Sequence, residues 1–435
     1  MIDIQYLRDN PKIVQEKSAQ KGYPVDVDKI LELDTNRKKT LTVVEELRAK
    51  RNEIAARMKH GAKPADEDIA EGKQTKDLLA QHEETLRSQE SELLTLLKKV
   101  PNMPLDNVPV GTSEDENKVV KTWGEKPVFD FDPKSHWQIA EARDLIDKDR
   151  AAKIAGSRFA YIKGPLVELE FAIIQWVISV LTNQQILQDI IDQNKLSVIA
   201  KPFTPVLPPA MIRTDAYDAM DRLQPSDDRY KVGGEEDDLW LQGSAEHTLG
   251  SMYWNETLPE TQLPIRYLGF LTSFRREAGT YGKDTEGIIR MHQFDKLEME
   301  VFSTADTGYD EHLLLVAIQE HLVQQLGLPY QLLEKCTFDI GKPNARGIDI
   351  EVWMPGQGKY RETHTADYMT DYQSRRLNTR VKRTNGKTEL IYTNDATAFA
   401  LGRIMVAIIE NFQQADGRIA VPLVLQTYLN GRELL

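Results

Sequence analysis

The chain has 435 residues, enough for two or three domains and a large buried core. Its formal net charge of −13 argues against indiscriminate nucleic-acid binding, which needs a positive surface, but leaves room for a local basic stripe on an acidic body. A single cysteine, Cys336, excludes an intrachain disulfide and a cysteine-rich zinc site.

The N-terminus, MIDIQYLRDNPKIV, carries charge from its third residue and has no apolar core, so it does not read as a secretory signal. Between Asp28 and His60 there is no proline or glycine, and Ile30, Leu33, Leu41, Val44, Leu47, Ile54 and Met58 recur broadly three or four apart, or at about twice that spacing. After the breaker Gly61–Pro64, Leu79, Leu86 and Leu93 follow at a spacing of seven. Two long helices with narrow apolar seams predict an antiparallel coiled-coil hairpin. Its first helix has nine Lys or Arg against six Asp or Glu over residues 28–60; its second has five against nine over residues 66–100. The basic cluster Arg37, Lys38, Lys39, Arg48, Lys50, Arg51, Arg57 and Lys59 suits a phosphate backbone, although a solvated helix face has the same composition. Val100–Pro104 stops the second helix.

Residues 105–135, rich in Pro, Gly and charge, read as a linker. A long helix is expected from Leu166 to about Asn194. Its most apolar part, Phe171–Leu181, covers about half of the roughly 20 residues a membrane helix needs, so it reads as buried. No membrane partner and a cytoplasmic setting are expected. Pro264–Glu277 and Arg290–Phe302 alternate in part between apolar and polar residues, with the glycine-containing loop Ala278–Ile289 between them. That pattern predicts an antiparallel hairpin of long strands with a flexible tip. Thr388–Thr393 is predicted as a strand running into a helix over Phe399–Gln413. The second domain is therefore expected to be an antiparallel sheet with flanking helices, of α+β class.

No G-x-x-x-x-G-K-[ST] loop, strand-linked G-x-G-x-x-G, kinase signature or triad signature is present. Any nucleotide must then be held mainly by side chains. Arg275, at a predicted strand end, and Arg403, near the start of an apolar helix, suit phosphate because a guanidinium fork bonds two oxygens at once. An arginine met singly is more often a surface ion-pair partner.

Their contexts add to this. FRREAGTYGKDTEGIIRMHQFDKLEMEVF resembles motif 2 of the class II aminoacyl-tRNA synthetases, and NDATAFALGRIMVAIIENFQQADGRIAVPLVL resembles motif 3. The helix from Leu166, leading on to Leu207-Pro208-Pro209, is similar to motif 1, the dimer-forming element. HQFDKLE, YRETHTADYMTDYQSRR and ENFQQADGRI narrow the resemblance to seryl-tRNA synthetases, and it extends over nearly the whole chain.

The resemblance implies a tRNA-binding coiled-coil arm over residues 1–115 and a class II catalytic domain over 116–435. It implies activation of serine by ATP with Mg2+, transfer to serine tRNA, and a homodimer; selenocysteine tRNA stays open as a second substrate. It places Arg275 on the α-phosphate, Glu277 on the adenine, Phe294 and Arg403 on opposite faces of the adenine ring, and Arg290 on the triphosphate. Arg276, Thr363 and His364 join the ATP-binding set. Glu362 and Thr365 are the implied metal- and ATP-binding carboxylate and hydroxyl, and Arg275 and Arg403 the implied catalytic arginines. Ser244, Ala245, Glu246, Glu298 and Thr397 are the implied serine pocket, and Arg37, Lys38, Arg48 and Arg51 the implied tRNA contacts. None of His247, His292 and His364 is expected to be catalytic.

Several positions depart from the commoner pattern. Ser244 stands where threonine is usual, Asp395 where asparagine is usual, and Glu286 where arginine is usual. The stretch after Glu362 lacks the usual Ser-Ser-Cys-Ser-Asn-Cys character, and the motif 1 region looks extended over Thr182–Ala200. Two other readings of the residues are a ligase that charges a carrier protein and a non-enzymatic RNA-binding paralogue. The hairpin counts against the first. The survival of Arg275, Glu277, Arg290, Phe294, Glu298, Glu362 and Arg403 together counts against the second.

Overall fold

The structure is a computed structural model and describes residues 1–59, 65–234, 237–277 and 287–435. The chain forms two compact units, Met1–Met103 and Pro104–Leu435. The breaker at Gly61–Pro64 and most of the loop after Glu277, with Glu286, lie outside the described residues.

The first unit holds α1 (Ile4–Asp9), α2 (Pro11–Gln20), α3 (Val27–Lys59) and α4 (Asp66–Leu97). Ion pairs from Lys29–Glu92 at one end to Arg57–Asp68 at the other set α3 and α4 antiparallel. Leu79, Leu86 and Leu93 are buried along α4, as their spacing predicts; Val44 of α3 packs against Leu79 and Leu86, and Ile54 of α3 is buried as well. Leu33 and Met58 are only half-buried. Beside Leu33 it is Asp34 that is buried, with Arg8 of α1 at 2.7 Å and Arg37 at 3.2 Å. A buried carboxylate is tolerated there because two guanidinium groups replace its lost water.

The second unit is built on an eight-stranded sheet. Its strands are β1 (Lys118–Trp123), β2 (Thr204–Val206), β3 (Ile265–Phe274), β4 (Gln293–Ser303), β5 (Tyr330–Glu334), β6 (Arg346–Met354), β7 (Lys359–Thr370) and β8 (Tyr392–Ala400). Their order is β1-β5-β6-β7-β8-β4-β3-β2, antiparallel except for the parallel edge pair β2–β3. Among its helices are α5 (Pro165–Leu181), α6 (Gln184–Asn194), α7 (Glu246–Gly250), α8 (Gly308–Gln325) and α9 (Leu401–Asn411).

Strand periodicity separates the two faces of the sheet. Leu297, Met299 and Val301 of β4, Ala366 of β7, and Ala396 and Ala398 of β8 join one apolar cluster with α5, α8 and α9. The alternate residues, including Lys296, Glu298, Glu300, Thr365, Asp367, Asp395 and Thr397, point to the other face. Among the described residues no single helix is long and apolar enough to cross a membrane.

Three expectations need correction. The helix from Leu166 is two helices, α5 and α6, bent by 72° at Thr182-Asn183. The Asn183 side chain accepts from the backbone of Gln185 and Ile186, so it caps a new helix instead of continuing the old one. The segment expected as a linker contains β1, and residues 105–117 are tied to the β5–β6 region through Leu105 N–Ala345 O (2.9 Å) and Asn117 Oδ1–Cys336 N (2.9 Å). All six β1 residues are exposed, so this edge strand leaves no alternating pattern in the sequence. The third concerns motif 3. Thr388–Leu390 is a short strand of a separate small sheet, the long strand is β8, and the helix starts at Leu401. The buried polar run Asn394–Thr397 hides β8 from an apolar-pattern reading.

Arg266 of β3 and Glu311 of α8 form a fully buried two-bond pair at 2.9 and 2.8 Å, and Arg266 also donates to the Lys201 carbonyl at 2.7 Å. Glu311→Ala should destabilise the second unit by about 3–5 kcal/mol by stranding the guanidinium. The paired change Arg266→Met with Glu311→Ala should recover part of that loss. Equilibrium urea unfolding measures both; equal stability of Glu311→Ala and the parent chain would refute the assignment.

Candidate active site

A cavity of about 410 Å3 opens on the polar face of the sheet. Register explains its contents. Glu298 of β4 lies opposite Thr397 of β8 on one side and Gly269 of β3 on the other. A Cβ on Gly269 would come within 2.7 Å of Leu249 and 3.0 Å of Ala245, so glycine lets α7 rest on the sheet and bring Glu246 to the cavity. From beneath, Gln319 of α8 donates to the carbonyls of Thr365 (2.9 Å) and Thr397 (2.8 Å) and fixes β7 and β8 where they carry site residues.

At one end of the cavity the arginines gather. Arg275 donates through Nε to the Gly243 carbonyl (3.1 Å), and its guanidinium lies 5.5 Å from the centre of the Phe294 ring. Its own carbonyl is 2.9 Å from His292 Nδ1. Glu277, held at a φ of +52°, pairs with Arg290. Arg403 bonds both the Glu362 carbonyl (2.9 Å) and its carboxylate (3.0 Å). Loss of water works against the Glu362 charge, but Arg403, Lys335 and Arg275 together hold its pKa down to about 2. Thr365 donates to Asp349 (2.7 Å) and lies 3.4 Å from the Glu362 carboxylate.

The segment after the undescribed loop is anchored by a buried histidine. His136 Nδ1 pairs with Glu410 at 2.8 Å, and its Nε2 faces the Ile288 amide at 3.3 Å. Gly287 there has a φ of +65°, and a Cβ would fall 1.7 Å from the His136 ring, so no other residue fits.

At the other end carboxylates crowd. Oxygens of Glu246, Glu298 and Asp395 all lie within 4.8 Å of one another. Lys296 pairs with Glu298, and Arg222 pairs with Glu246 (3.0 Å), Asp395 (3.2 Å) and Asp367 (3.8 Å). One guanidinium cannot keep all of these groups ionised. Burial opposes the charge on Glu246, yet Arg222, with help from His247, holds its pKa well below the ordinary range. Burial and the nearby Glu246 push Asp395 well above its range despite Arg222. Burial also raises Glu298 to about 7, with Lys296 pulling the other way and Glu246 adding to the rise. Glu300, opposite Asp395 in register, has no hydrogen-bond partner among the described residues, and burial and Asp395 raise it strongly.

Of the residues named from the sequence, the cavity brings together Glu246, Arg275, Glu277, Arg290, Phe294, Glu298, Glu362, Thr363, Thr365, Thr397 and Arg403. Four others lie off its wall. Ser244 is buried and accepts from Lys296 at 3.1 Å, and Ala245 packs against Leu249 and Leu271. Arg276 is exposed, with its guanidinium over the Tyr230 ring. His364 points into the apolar side of the sheet against Phe399, because β7 alternates, and burial lowers its pKa to about 3. His247 is similarly lowered by burial, to about 4, which suits neither for acid–base work near neutrality. Arg222, Arg229, Lys296 and Asp367 line the cavity without having been expected there. Lys296 and Asp367 carried a signal, Lys296 in HQFDKLE two residues before Glu298 and Asp367 in YRETHTADYMTDYQSRR two residues after Thr365. In the first unit Arg48 pairs with Glu83 at 2.7 Å, and Arg37 and Lys38 with Asp34 at 3.2 and 3.8 Å; Lys38, Arg48 and Arg51 are all exposed.

A family model for the seryl-tRNA synthetase N-terminal domain matches residues 1–104, and one for the class II tRNA synthetase core domain (G, H, P, S and T) matches residues 230–412. The serine–tRNA ligase of Exiguobacterium sibiricum is 38% identical over 441 residues, covering 100% of both chains. The chain belongs to the seryl-tRNA synthetase family. The serine–tRNA ligase of Thermodesulfovibrio yellowstonii is 37% identical, with 99% of each chain covered. Among solved structures, the seryl-tRNA synthetase of Pyrococcus horikoshii complexed with ATP aligns with a TM-score of 0.88 at 34% identity, covering 100% of this chain and 99% of that one. The cytoplasmic serine–tRNA ligase of Naegleria fowleri in complex with AMP aligns at 0.84 and 25% identity, covering 99% and 96%.

Proposed function

We propose that the cavity of the second unit condenses serine with ATP to seryl-adenylate and passes the seryl group to the 3′ end of tRNA. The observation that carries this reading is one cavity with guanidinium groups at one end and a buried carboxylate knot at the other. Full-length likeness to serine–tRNA ligases fits it.

Arg275 holds the α-phosphate, and Arg290 and Arg403 the outer phosphates. Each fork bonds two oxygens and offsets charge as pyrophosphate leaves. Phe294 offers its ring to the adenine, which displaces the Arg275 guanidinium towards the phosphate, and Glu277 reads the base edge. The Glu362 carboxylate and Thr365 hydroxyl are hard oxygen donors 3.4 Å apart, a set that fits Mg2+. That ion would supply charge neutralisation on the phosphates. Glu246 and Glu298 receive the serine ammonium, and Thr397 and Glu298 its hydroxyl; alanine would leave these buried groups unpaired. The serine carboxylate is already ionised. It attacks the α-phosphorus and pyrophosphate departs, so no protein nucleophile or base is needed. The terminal ribose hydroxyl of tRNA then attacks the acyl carbon and releases AMP.

The exposed basic residues of α3, Lys38 and Arg51 among them, supply phosphate contacts for tRNA. A homodimer is placed through α5, which lies in the segment that resembles motif 1 and carries the exposed ring of Phe171.

Arg275→Ala should abolish serine-dependent ATP–pyrophosphate exchange, by about 100-fold or more; substantial retained exchange would remove the phosphate role. Glu298 must be ionised to attract an ammonium, and its pKa lies at about 7. The serine KM should therefore rise below pH 7, approaching tenfold per unit, while the ATP KM stays level. A serine KM that is flat from pH 8 to pH 6 would contradict this. Reversing charge at Lys38 and Arg51 to Glu should lower tRNA charging about tenfold or more with exchange unchanged. Undiminished charging would show that this face does not meet tRNA.

A further inference from the structure

Arg222 reaches the carboxylate end of the cavity from outside the sheet. It follows Asp221, a residue at a φ of +57° whose carboxylate is fixed by Lys342 (3.0 Å) and the Tyr372 hydroxyl (2.8 Å). Arg229 donates twice to the Arg222 carbonyl, at 3.3 and 3.2 Å, and Arg376 donates to the Ala219 carbonyl at 2.9 Å. The backbone that carries Arg222 is therefore set before any ligand arrives. Its guanidinium then bridges Glu246 of α7 and Asp395 of β8, two carboxylates from different layers. Other than Arg222, the side chain placed directly against Glu246 is the buried His247 at 3.3 Å, and Lys296 is occupied with Glu298 and Ser244.

We propose that Arg222 is a positioning residue for the amino-acid pocket: by tying Glu246 to Asp395 it keeps the Glu246 carboxylate ionised and aimed at the substrate ammonium. This rests on the serine reading given above. Without the bridge, Glu246, Glu298 and Asp395 face each other with too little positive charge, and they relieve the repulsion by taking up protons or moving apart. Either response weakens ammonium binding and leaves the arginines of the ATP end untouched. Arg222 thus separates affinity for the amino acid from affinity for the nucleotide.

The test measures serine-dependent ATP–pyrophosphate exchange on the full chain for the parent, Arg222→Met and Arg222→Lys. Arg222→Met should raise the serine KM about 10- to 100-fold, the scale of one lost charge-assisted contact, with the ATP KM within about threefold. Arg222→Lys keeps the charge but cannot bridge two carboxylates, so it should fall between parent and Arg222→Met. Adding Asp395→Asn to Arg222→Met removes one of the stranded carboxylates and should lower the serine KM again. A folded Arg222→Met with parental serine KM, or with serine and ATP KM raised alike, overturns the proposal. If Arg222→Met does not fold, an unchanged serine KM in Arg222→Lys overturns it equally. A parent chain without serine-dependent exchange would instead sink the functional reading, so the two failures are distinguishable.

Discussion

Charged side chains are held against one face of an antiparallel sheet whose other face is dry, and the site depends on how their charges are balanced there. A carboxylate leaving water loses several kcal/mol of hydration, and only a close cation or a proton restores it. At the arginine end Arg403, Lys335 and Arg275 favour the charge, and Glu362, itself half exposed, stays ionised. At the carboxylate end carboxylates outnumber cations, so protons supply part of the restoration and Glu298, Glu300 and Asp395 are all raised. The two ends of one cavity thus present opposite demands, one for phosphate and one for an ammonium group.

The fold meets these demands by placement rather than by strain. Gln319 fixes the carbonyls of Thr365 and Thr397 from below, so the polar residues of β7 and β8 stand at a set height above the core. Gly269 lets α7 approach, and Gly287 lets the chain pass the His136 ring before Arg290 enters the cavity. In each case a small or amide side chain solves a geometric problem so that a charged one is placed correctly. The internal ion pairs of the first unit, several of them exposed, add little stability individually.

Much of this was written in the sequence. The coiled-coil hairpin follows from the heptad spacing of Leu79, Leu86 and Leu93, because a repeat of seven has only one way to bury its leucines. The β3–β4 hairpin follows from alternation, and motif 2 places Arg275, Glu277, Arg290, Phe294 and Glu298 together because they lie on β4 or just beyond the facing ends of β3 and β4. What local patterns missed had no apolar period to reveal it. The strand β1 is exposed on every residue, β8 buries the polar residues Thr393, Asn394, Asp395 and Thr397, and Asn183 breaks a helix through a side-chain cap rather than through proline or glycine.

Sequence alone thus determined the family resemblance, the helical arm and the long strands, since each is encoded by residues close together in the chain. Tertiary structure decided which side chains face the cavity, turning His364, Ser244 and Ala245 away from it. It also brought Arg222 to carboxylates some 24, 145 and 173 positions further along the chain. The physical reason is range. Periodicity and motifs report contacts between near neighbours, whereas the pairing of buried charges depends on which distant groups share a space without water.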